Sequence, residues 1–128
     1  MTTKASNRTK TTVLAYAGCD TCRKALRWLA DHGVDASVRP IVDEPPTVAE
    51  LEAWIPRSGK PVTKWLNTSG QSYRAIGKEA VQAATPKELV RWLAKDGKLV
   101  KRPVLVHGDV VLVGFDEAAY EATFPKTR

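Results

Sequence analysis

Two cysteines separated by two residues, Cys19 and Cys22, are the side chains of this sequence best suited to chemistry. They follow a short apolar run, residues 12–16, and open an amphipathic helical pattern over residues 23–31. A cysteine at a helix N-terminus lies beside unpaired N–H groups and the positive end of the helix dipole, and both favour a thiolate. Cys22 lies on the same helical face, within reach of Cys19. The pattern predicts that Cys19 is an attacking thiolate and Cys22 the resolving thiol of a reversible disulfide.

Three other roles for the cysteine pair stay open at this point. A zinc site needs about four ligands, and the other candidates of the soft kind, His32 and His107, show no ligand spacing. A structural disulfide is typical of secreted chains, but the polar residues 1–10 do not resemble a secretory signal. A buried, inert pair is the third alternative. The position between a strand and a helix favours the redox role.

Composition limits the class of protein. The 128 residues, 43% of them hydrophobic, suffice for one domain with a real core. The net charge of +6 comes mainly from five basic residues near the chain ends: Lys4, Arg8, Lys10, Lys126 and Arg128. The remaining chain is nearly balanced, and no apolar stretch approaches the length of a membrane span. We therefore expect a cytoplasmic monomer with no metal, no bound cofactor and no specific nucleic-acid partner.

The first part of the chain has the pattern of a βαβ unit. A strand is predicted over residues 13–16, a helix carries the second cysteine and ends at Gly33, and a second strand covers residues 37–42. Pro40 indicates that this second strand is an edge or has an irregular end. The unit predicts parallel pairing with a right-handed crossover.

Residues 45–97 form a helical segment by their pattern. Capping boxes begin helices at Thr47 and at Thr85, and the first of these helices is predicted to stop before Pro56. Aromatic residues at helical spacing usually lie in the core. Three tryptophans of this segment are therefore expected there: Trp54, Trp65 and Trp92.

A hairpin of strands over residues 103–106 and 110–113 and a final helix capped by Asp116 complete the chain. Without residues 45–97, the order is that of an α/β, thioredoxin-like (glutaredoxin-type) fold, which has a mixed four-stranded sheet with helices on both faces. We expect a disordered leader over residues 1–11. A single domain over residues 12–125 would then contain residues 45–97 as an inserted helical subdomain.

The loop before the third strand lies next to the CxxC motif in a fold of this kind. Here that loop contains Arg102 and Pro103. We expect the Arg102–Pro103 peptide bond to be cis, so that backbone beside the sulfur atoms meets a bound partner. The guanidinium of Arg102 never loses its charge and is placed to stabilise the Cys19 thiolate or to bind an oxyanion.

Several motifs together are similar to the arsenate reductase (ArsC)-related family, in its Spx/MgsR/YffB-like branch. They are Cys19-Asp-Thr-Cys-Arg-Lys-Ala, Leu66-Asn-Thr-Ser-Gly, Tyr73-Arg, Arg102-Pro-Val-Leu-Val and Val113-Gly-Phe-Asp-Glu. The resemblance covers roughly residues 12–124. It implies the same fold with an inserted helical subdomain.

The resemblance also implies roles for individual residues. Glutaredoxin-linked arsenate reductases attack arsenate with a cysteine at the position of Cys19 and hold the oxyanion with three arginines. One of these maps onto Arg102, the second onto Asn67, and the third falls in residues 110–114, where there is no arginine. The substrate-binding residues implied are Thr21, Asn67 and Pro103.

The resemblance leaves three functions in view. A single guanidinium compensates a buried arsenate poorly, so a thiol–disulfide oxidoreductase is favoured over a genuine arsenate reductase. Its electron donor would be glutathione or a thioredoxin or glutaredoxin, and its partner a thiol donor or a disulfide substrate. The alternative is a redox-sensing, Spx-like transcription regulator that binds RNA polymerase.

Overall fold

The computed structural model describes residues 9–125, so residues 1–8 of the leader predicted over residues 1–11 lie outside the described part of the chain. The strands are β1 (Thr11–Ala15), β2 (Ser37–Pro40), β3 (Val104–His107) and β4 (Val110–Val113). The α-helices are α1 (Asp20–Asp31), α2 (Val48–Ser58), α3 (Gln71–Ile76), α4 (Lys78–Ala83), α5 (Pro86–Lys95) and α6 (Glu117–Thr123). Two 3₁₀ turns cover Val62–Trp65 and Gly97–Leu99.

The strands form one mixed sheet in the order β2-β1-β3-β4. β1 pairs with β2 in parallel, and the β1–β3 and β3–β4 pairs are antiparallel. β1 therefore lies in the interior of the sheet, and its carboxyl end leads directly to the cysteines. The predicted α/β, thioredoxin-like architecture is confirmed, as are the parallel pair and the edge position of β2.

Helices cover both faces of this sheet. Successive strand residues point to opposite sides, so each strand contributes to an apolar cluster on each face. Leu14 and Val104 belong to a core shared with the helical segment, including Leu51 of α2 and Leu93 of α5. Their neighbours, among them Val13, pack on the other face with α1 and α6. The helical segment thus shares a core with the sheet that positions Cys19.

The ends of β1 and β2 differ from the predicted strand ends. β1 begins at Thr11, which is buried, so this residue belongs to the sheet and not to the leader. Tyr16 lies beyond the end of β1 and is exposed. β2 stops at Pro40 and not at residue 42, since proline has no N–H with which to continue a ladder. Ile41 still donates its N–H to the Ala15 carbonyl, at 3.0 Å.

Both predicted capping boxes are present, at Thr47 with Glu50 and at Thr85 with Glu88. The expectation that the helix after Thr47 stops before Pro56 is wrong. α2 continues to Ser58, because a proline in the last turn removes only its own N–H bond. The helix ends where Gly59 takes φ +72°.

Helix α4 was not predicted. It is six residues long, and only Val81 of it is buried, so no apolar periodicity announces it. Of the tryptophans expected in the core, Trp65 is fully buried, and Trp54 and Trp92 pack against the core while partly exposed. Trp28, which no prediction placed, is also buried, on the face of α1 that carries Cys22.

No helix within residues 9–125 combines the length and the apolar character that a membrane span requires.

At Gly97 the helical segment lies close against the chain after β2. A Cβ atom at this position would lie 1.9 Å from the carbonyl oxygen of Ile41 and 2.7 Å from its carbonyl carbon. These are backbone atoms, which no rotamer change can move aside. The contact holds the chain after α5, and hence the loop before β3, against the βαβ unit.

We expect Gly97→Ala to lower the free energy of unfolding by about 3 kcal/mol or more, because the added methyl overlaps backbone. Gly33→Ala is the matched control. Its φ is +71° and no atom lies within 4 Å of the added carbon, so about 1 kcal/mol is expected from backbone strain alone. Urea unfolding of both variants measures the difference. Equal losses would show that the contact with Ile41 is not tight.

Candidate active site

Cys19 is the N-cap of helix α1. Its Sγ accepts a hydrogen bond from the backbone N–H of Cys22 at 3.2 Å, and its own N–H donates to the Tyr16 carbonyl at 3.1 Å. The N-cap position normally takes an oxygen side chain that satisfies a free N–H of the first turn. A sulfur anion makes the same contact with a charged acceptor and lies at the positive end of the helix dipole.

The surroundings of Cys19 lower the pKa of its thiol. Partial burial acts in the opposite direction, since it disfavours the charged form. Hydrogen bonds from the Cys22 thiol and the Cys22 backbone N–H, followed by the hydrogen bond and the charge of Arg102, outweigh this effect. The thiolate of Cys19 is therefore the form that the site stabilises.

Cys22 has the opposite environment. It is 1% exposed, and burial together with the hydrogen bond and the charge of Cys19 raises the pKa of its thiol to about 12. The two thiols are close but not joined in a disulfide. In the reduced protein, the site therefore favours the anionic form of Cys19 and the neutral form of Cys22.

Tyr120 of α6 lies in the same buried cluster as Cys22. Burial, and to a smaller extent the charge of Cys22, raise the pKa of this tyrosine. Its hydroxyl is buried and has no hydrogen-bond partner among residues 9–125. The interior behind Cys22 is therefore apolar, which accounts for the cost of charging that thiol.

Arg102 is held beside the cysteines by two contacts. Its guanidinium carbon lies 5.2 Å from the centroid of the Tyr16 ring, a cation–π contact, and its Nη1 donates to the Lys98 carbonyl at 3.4 Å. Tyr16 is 41% exposed, a high value for a large apolar side chain. Its ring forms one wall for the arginine and also lies over Gly18, where a Cβ would be 3.0 Å away.

The Arg102–Pro103 peptide bond is cis, as predicted. The Pro103 carbonyl accepts the N–H of Gly114 at 2.8 Å, which joins the loop after β4 to the loop before β3. On the other side, an isolated antiparallel bridge pairs Leu66 with Val100. These connections bring three distant loops together in front of Cys19.

These three loops, the loop after α2 and the start of α1 line a cleft of about 470 Å³. It is lined by Cys19, Thr21, Lys60, Asn67, Ser69, Lys101, Arg102, Val113, Gly114, Phe115 and Asp116. Within residues 9–125, no group of three or more His, Cys, Asp or Glu side chains is arranged as metal ligands would be.

Of the predicted site residues, Cys19, Thr21, Asn67 and Arg102 line the cleft together. Asn67 also holds its own loop, because its Nδ2 donates to the Lys98 carbonyl at 3.3 Å and its Oδ1 accepts from Ser69 at 3.3 Å. Cys22 lies behind Cys19, and Pro103 is buried and does not line the cleft. The catalytic and substrate-binding roles of all these residues stay predictions.

Three residues that sequence reasoning gave no role belong to the site: Tyr16, Lys60 and Lys101. The position of Tyr16, an aromatic residue just before the CxxC motif, was an available signal. Lys101 adjoins the Arg-Pro pair and could also have been considered. No local signal identifies Lys60, since it lies 41 residues after Cys19 and only the tertiary fold brings it to the cleft.

Comparison with known proteins gives the family. The ArsC family profile matches residues 14–123. The chain belongs to the ArsC family. This ArsC-family chain is 41% identical over 107 residues to the protein YusI of Bacillus subtilis, covering 83% of this chain and 91% of that protein.

Solved structures of ArsC-family proteins agree with the fold. An ArsC family related protein of Bacteroides fragilis is 46% identical, with a TM-score of 0.85 over 88% of this chain and 96% of that one. A protein of Streptococcus mutans described as a possible arsenate reductase is 35% identical, with a TM-score of 0.82 over 91% and 100% of the two chains. The predicted resemblance is confirmed.

The chain is also similar to a regulator. The regulatory protein MgsR of Bacillus subtilis is 27% identical over 105 residues, which cover 82% of each chain. The similarities of this chain thus extend to a possible reductase and to a regulator, and the choice between these functions depends on the site.

We expect Arg102→Ala to raise the pKa of Cys19, because it removes a hydrogen bond and a positive charge that favour the thiolate. The rate of Cys19 alkylation by iodoacetamide rises with pH through this pKa, so its midpoint should move to higher pH. The proteins with and without Arg102→Ala both carry Cys22→Ser, so that Cys19 is the cysteine that reacts. Arg27→Ala, an exposed arginine of α1 outside the cleft, is the control and should leave the midpoint in place. An unchanged midpoint in Arg102→Ala would show that Arg102 does not stabilise the Cys19 thiolate.

Proposed function

We propose that this protein is a thiol–disulfide oxidoreductase with Cys19 as the nucleophile and Cys22 as the resolving thiol. The observation that carries the proposal is the asymmetry of the pair. Cys19 faces the cleft and accepts hydrogen bonds from Cys22, while Cys22 is buried behind it with a raised pKa. An accessible thiolate with a protected second thiol is the arrangement that thiol–disulfide exchange requires.

The first step of the proposed reaction is attack of the Cys19 thiolate on one sulfur of a substrate disulfide. The S–S bond of the substrate breaks, its second sulfur leaves as a thiolate, and a mixed disulfide remains on Cys19. The charge on Cys19 is then gone, which removes one of the effects that raise the pKa of Cys22.

In the second step, Cys22 loses its proton, directly or through solvent, to the departed thiolate and attacks the Sγ of Cys19. The mixed disulfide breaks, the substrate's other half leaves as a thiolate, and a Cys19–Cys22 disulfide forms. The substrate has then gained two electrons and the protein has lost two. A thiol donor, glutathione or a thioredoxin or glutaredoxin, returns them in two further exchanges.

Arg102 and the start of α1 act on the first step, since both stabilise the Cys19 thiolate. Thr21 and Asn67 are proposed to contact the substrate from the cleft wall, with the backbone at Pro103 behind them.

Arsenate reduction is a weaker candidate, although the Streptococcus mutans neighbour supports it. The cleft contains one guanidinium, and its two lysines offer point charges in place of the planar forks that match an oxyanion. A genuine reductase predicts arsenate-dependent consumption of reductant that Cys19→Ser abolishes.

A redox-sensing regulator that binds RNA polymerase is the second candidate, favoured by the similarity to MgsR. In that case, the disulfide of Cys19 and Cys22 would switch a binding surface and not pass electrons to a substrate. A pull-down of RNA polymerase under reducing and oxidising conditions separates the candidates. Redox-dependent capture without disulfide turnover would favour the regulator.

We expect Cys22→Ser to accumulate a mixed disulfide on Cys19 when a model disulfide is added, since the second step is blocked. Cys19→Ser should form no adduct, and the wild type should pass on to the internal disulfide. Mass spectrometry of the intact protein distinguishes the three states. An adduct on Cys22 in the Cys19→Ser variant, formed as fast as the adduct on Cys19, would contradict the assigned roles.

A further inference from the structure

The cleft in front of Cys19 contains three cationic side chains, more than a single thiolate would neutralise. Lys60, Lys101 and Arg102 all line it, and Asp116 is its one acidic side chain. The carboxylate of Asp116 accepts the N–H of Ala118 as the cap of α6. Both ion pairs found within residues 9–125 involve other cations, so neither lysine is neutralised by a carboxylate in this part of the chain.

Lys101 is anchored at its backbone, and its stem packs along Gly114. Its N–H donates to the Trp65 carbonyl at 2.8 Å. Its aliphatic stem crosses Gly114, where a Cβ atom would lie 3.1 Å from the lysine Cε. Gly114 has φ +80°, a conformation that glycine adopts without strain, and it leaves room for the stem. The ammonium group thus reaches the cleft along a defined surface, while its head stays in solvent.

Lys60 reaches the cleft from another loop. Its N–H donates to the Ser58 Oγ at 3.2 Å, and the same oxygen accepts the Nε1–H of the buried Trp65 at 3.1 Å. The loop after α2 is therefore tied to the same tryptophan whose carbonyl holds Lys101. One buried residue thus anchors the loops that carry both lysines.

The charge distribution has a chemical consequence. The nucleophile is an anion and would repel an acidic partner, and Arg102 already contacts the Tyr16 ring and the Lys98 carbonyl. Two further cations at the same cleft reverse that repulsion. A flexible ammonium on a long stem suits a carboxylate whose position is not rigidly set.

We propose that Lys60 and Lys101 form a subsite for a carboxylate carried by the small thiol or disulfide that reacts with Cys19. This inference rests on the proposed thiol–disulfide exchange and adds the substrate class. The cleft selects acidic partners over neutral or cationic ones.

Two alkylating reagents test the subsite without any turnover. Iodoacetate and iodoacetamide have similar sizes and the same leaving group, but only iodoacetate carries a carboxylate. The ratio of their rates at Cys19 cancels changes in thiolate content, since these affect both reagents alike. In a Cys22→Ser background, we expect Lys60→Gln/Lys101→Gln to lower the iodoacetate to iodoacetamide ratio about three- to tenfold, as two exposed charge contacts would.

Lys64→Gln/Lys95→Gln is the matched control, because it removes the same net charge from exposed lysines outside the cleft. Its ratio should equal that of the parent. A ratio that stays constant in the Lys60/Lys101 variant, or that falls equally in the control, would overturn the subsite.

A second pair of reagents separates this inference from the proposed function. Dithiobis(nitrobenzoate) is an acidic disulfide and dithiodipyridine a neutral one. We expect the Lys60→Gln/Lys101→Gln variant to lose rate with the acidic reagent alone. Equal exchange with both reagents in wild type and variant overturns the subsite and leaves the exchange reaction standing. Failure of the wild type to exchange with either reagent, with the alkylation ratio still dependent on the lysines, overturns the exchange reaction and leaves an anion subsite.

Discussion

The hydrogen bond from the Cys22 backbone N–H to the Cys19 sulfur determines most of the chemistry of this site. It makes a cysteine the N-cap of α1, where an anionic acceptor is more favourable than a neutral one. Because the donor belongs to the second cysteine, the same contact sets the distance between the two sulfur-bearing residues. Everything else in the cleft adjusts the charge on Cys19 or decides what approaches it.

The fold supplies that contact through the sheet. β1 is an interior strand, paired on one side with β2 and on the other with β3, so its end is a fixed point from which α1 begins. The β1–β3 pairing also brings the loop that ends in Arg102–Pro103 to the same edge. The helical segment completes the site from the opposite side, because its antiparallel bridge between Leu66 and Val100 sets Asn67 opposite Leu99 and Lys101 opposite Trp65. At Gly97 the segment packs so closely on the backbone of Ile41 that no side chain would fit between them.

The parts of the site that depend on local sequence could be predicted. The N-cap role of Cys19 follows from a strand, two cysteines and a helix in succession, and the cis bond at Pro103 follows from the fold. Lys60 could not be predicted, because its place depends on how a loop after α2 packs against Trp65. Tyr16 was assigned to a strand that ends one residue earlier, and the assignment concealed its contact with Arg102. The helix end predicted before Pro56 was wrong for a physical reason. A proline near a helix end costs one hydrogen bond and does not stop the helix.

The measurement that tests the account most directly is a pH titration of the reduced protein with ¹³Cβ-labelled cysteine, followed by NMR. Cys19→Ser and Cys22→Ser assign the two signals, whose shifts report each thiol separately. The account predicts that Cys19 ionises first, below the ordinary cysteine range, and that Cys22 follows only near pH 12. Two signals that titrate together in the ordinary range, or a Cys22 signal that titrates first, would contradict it.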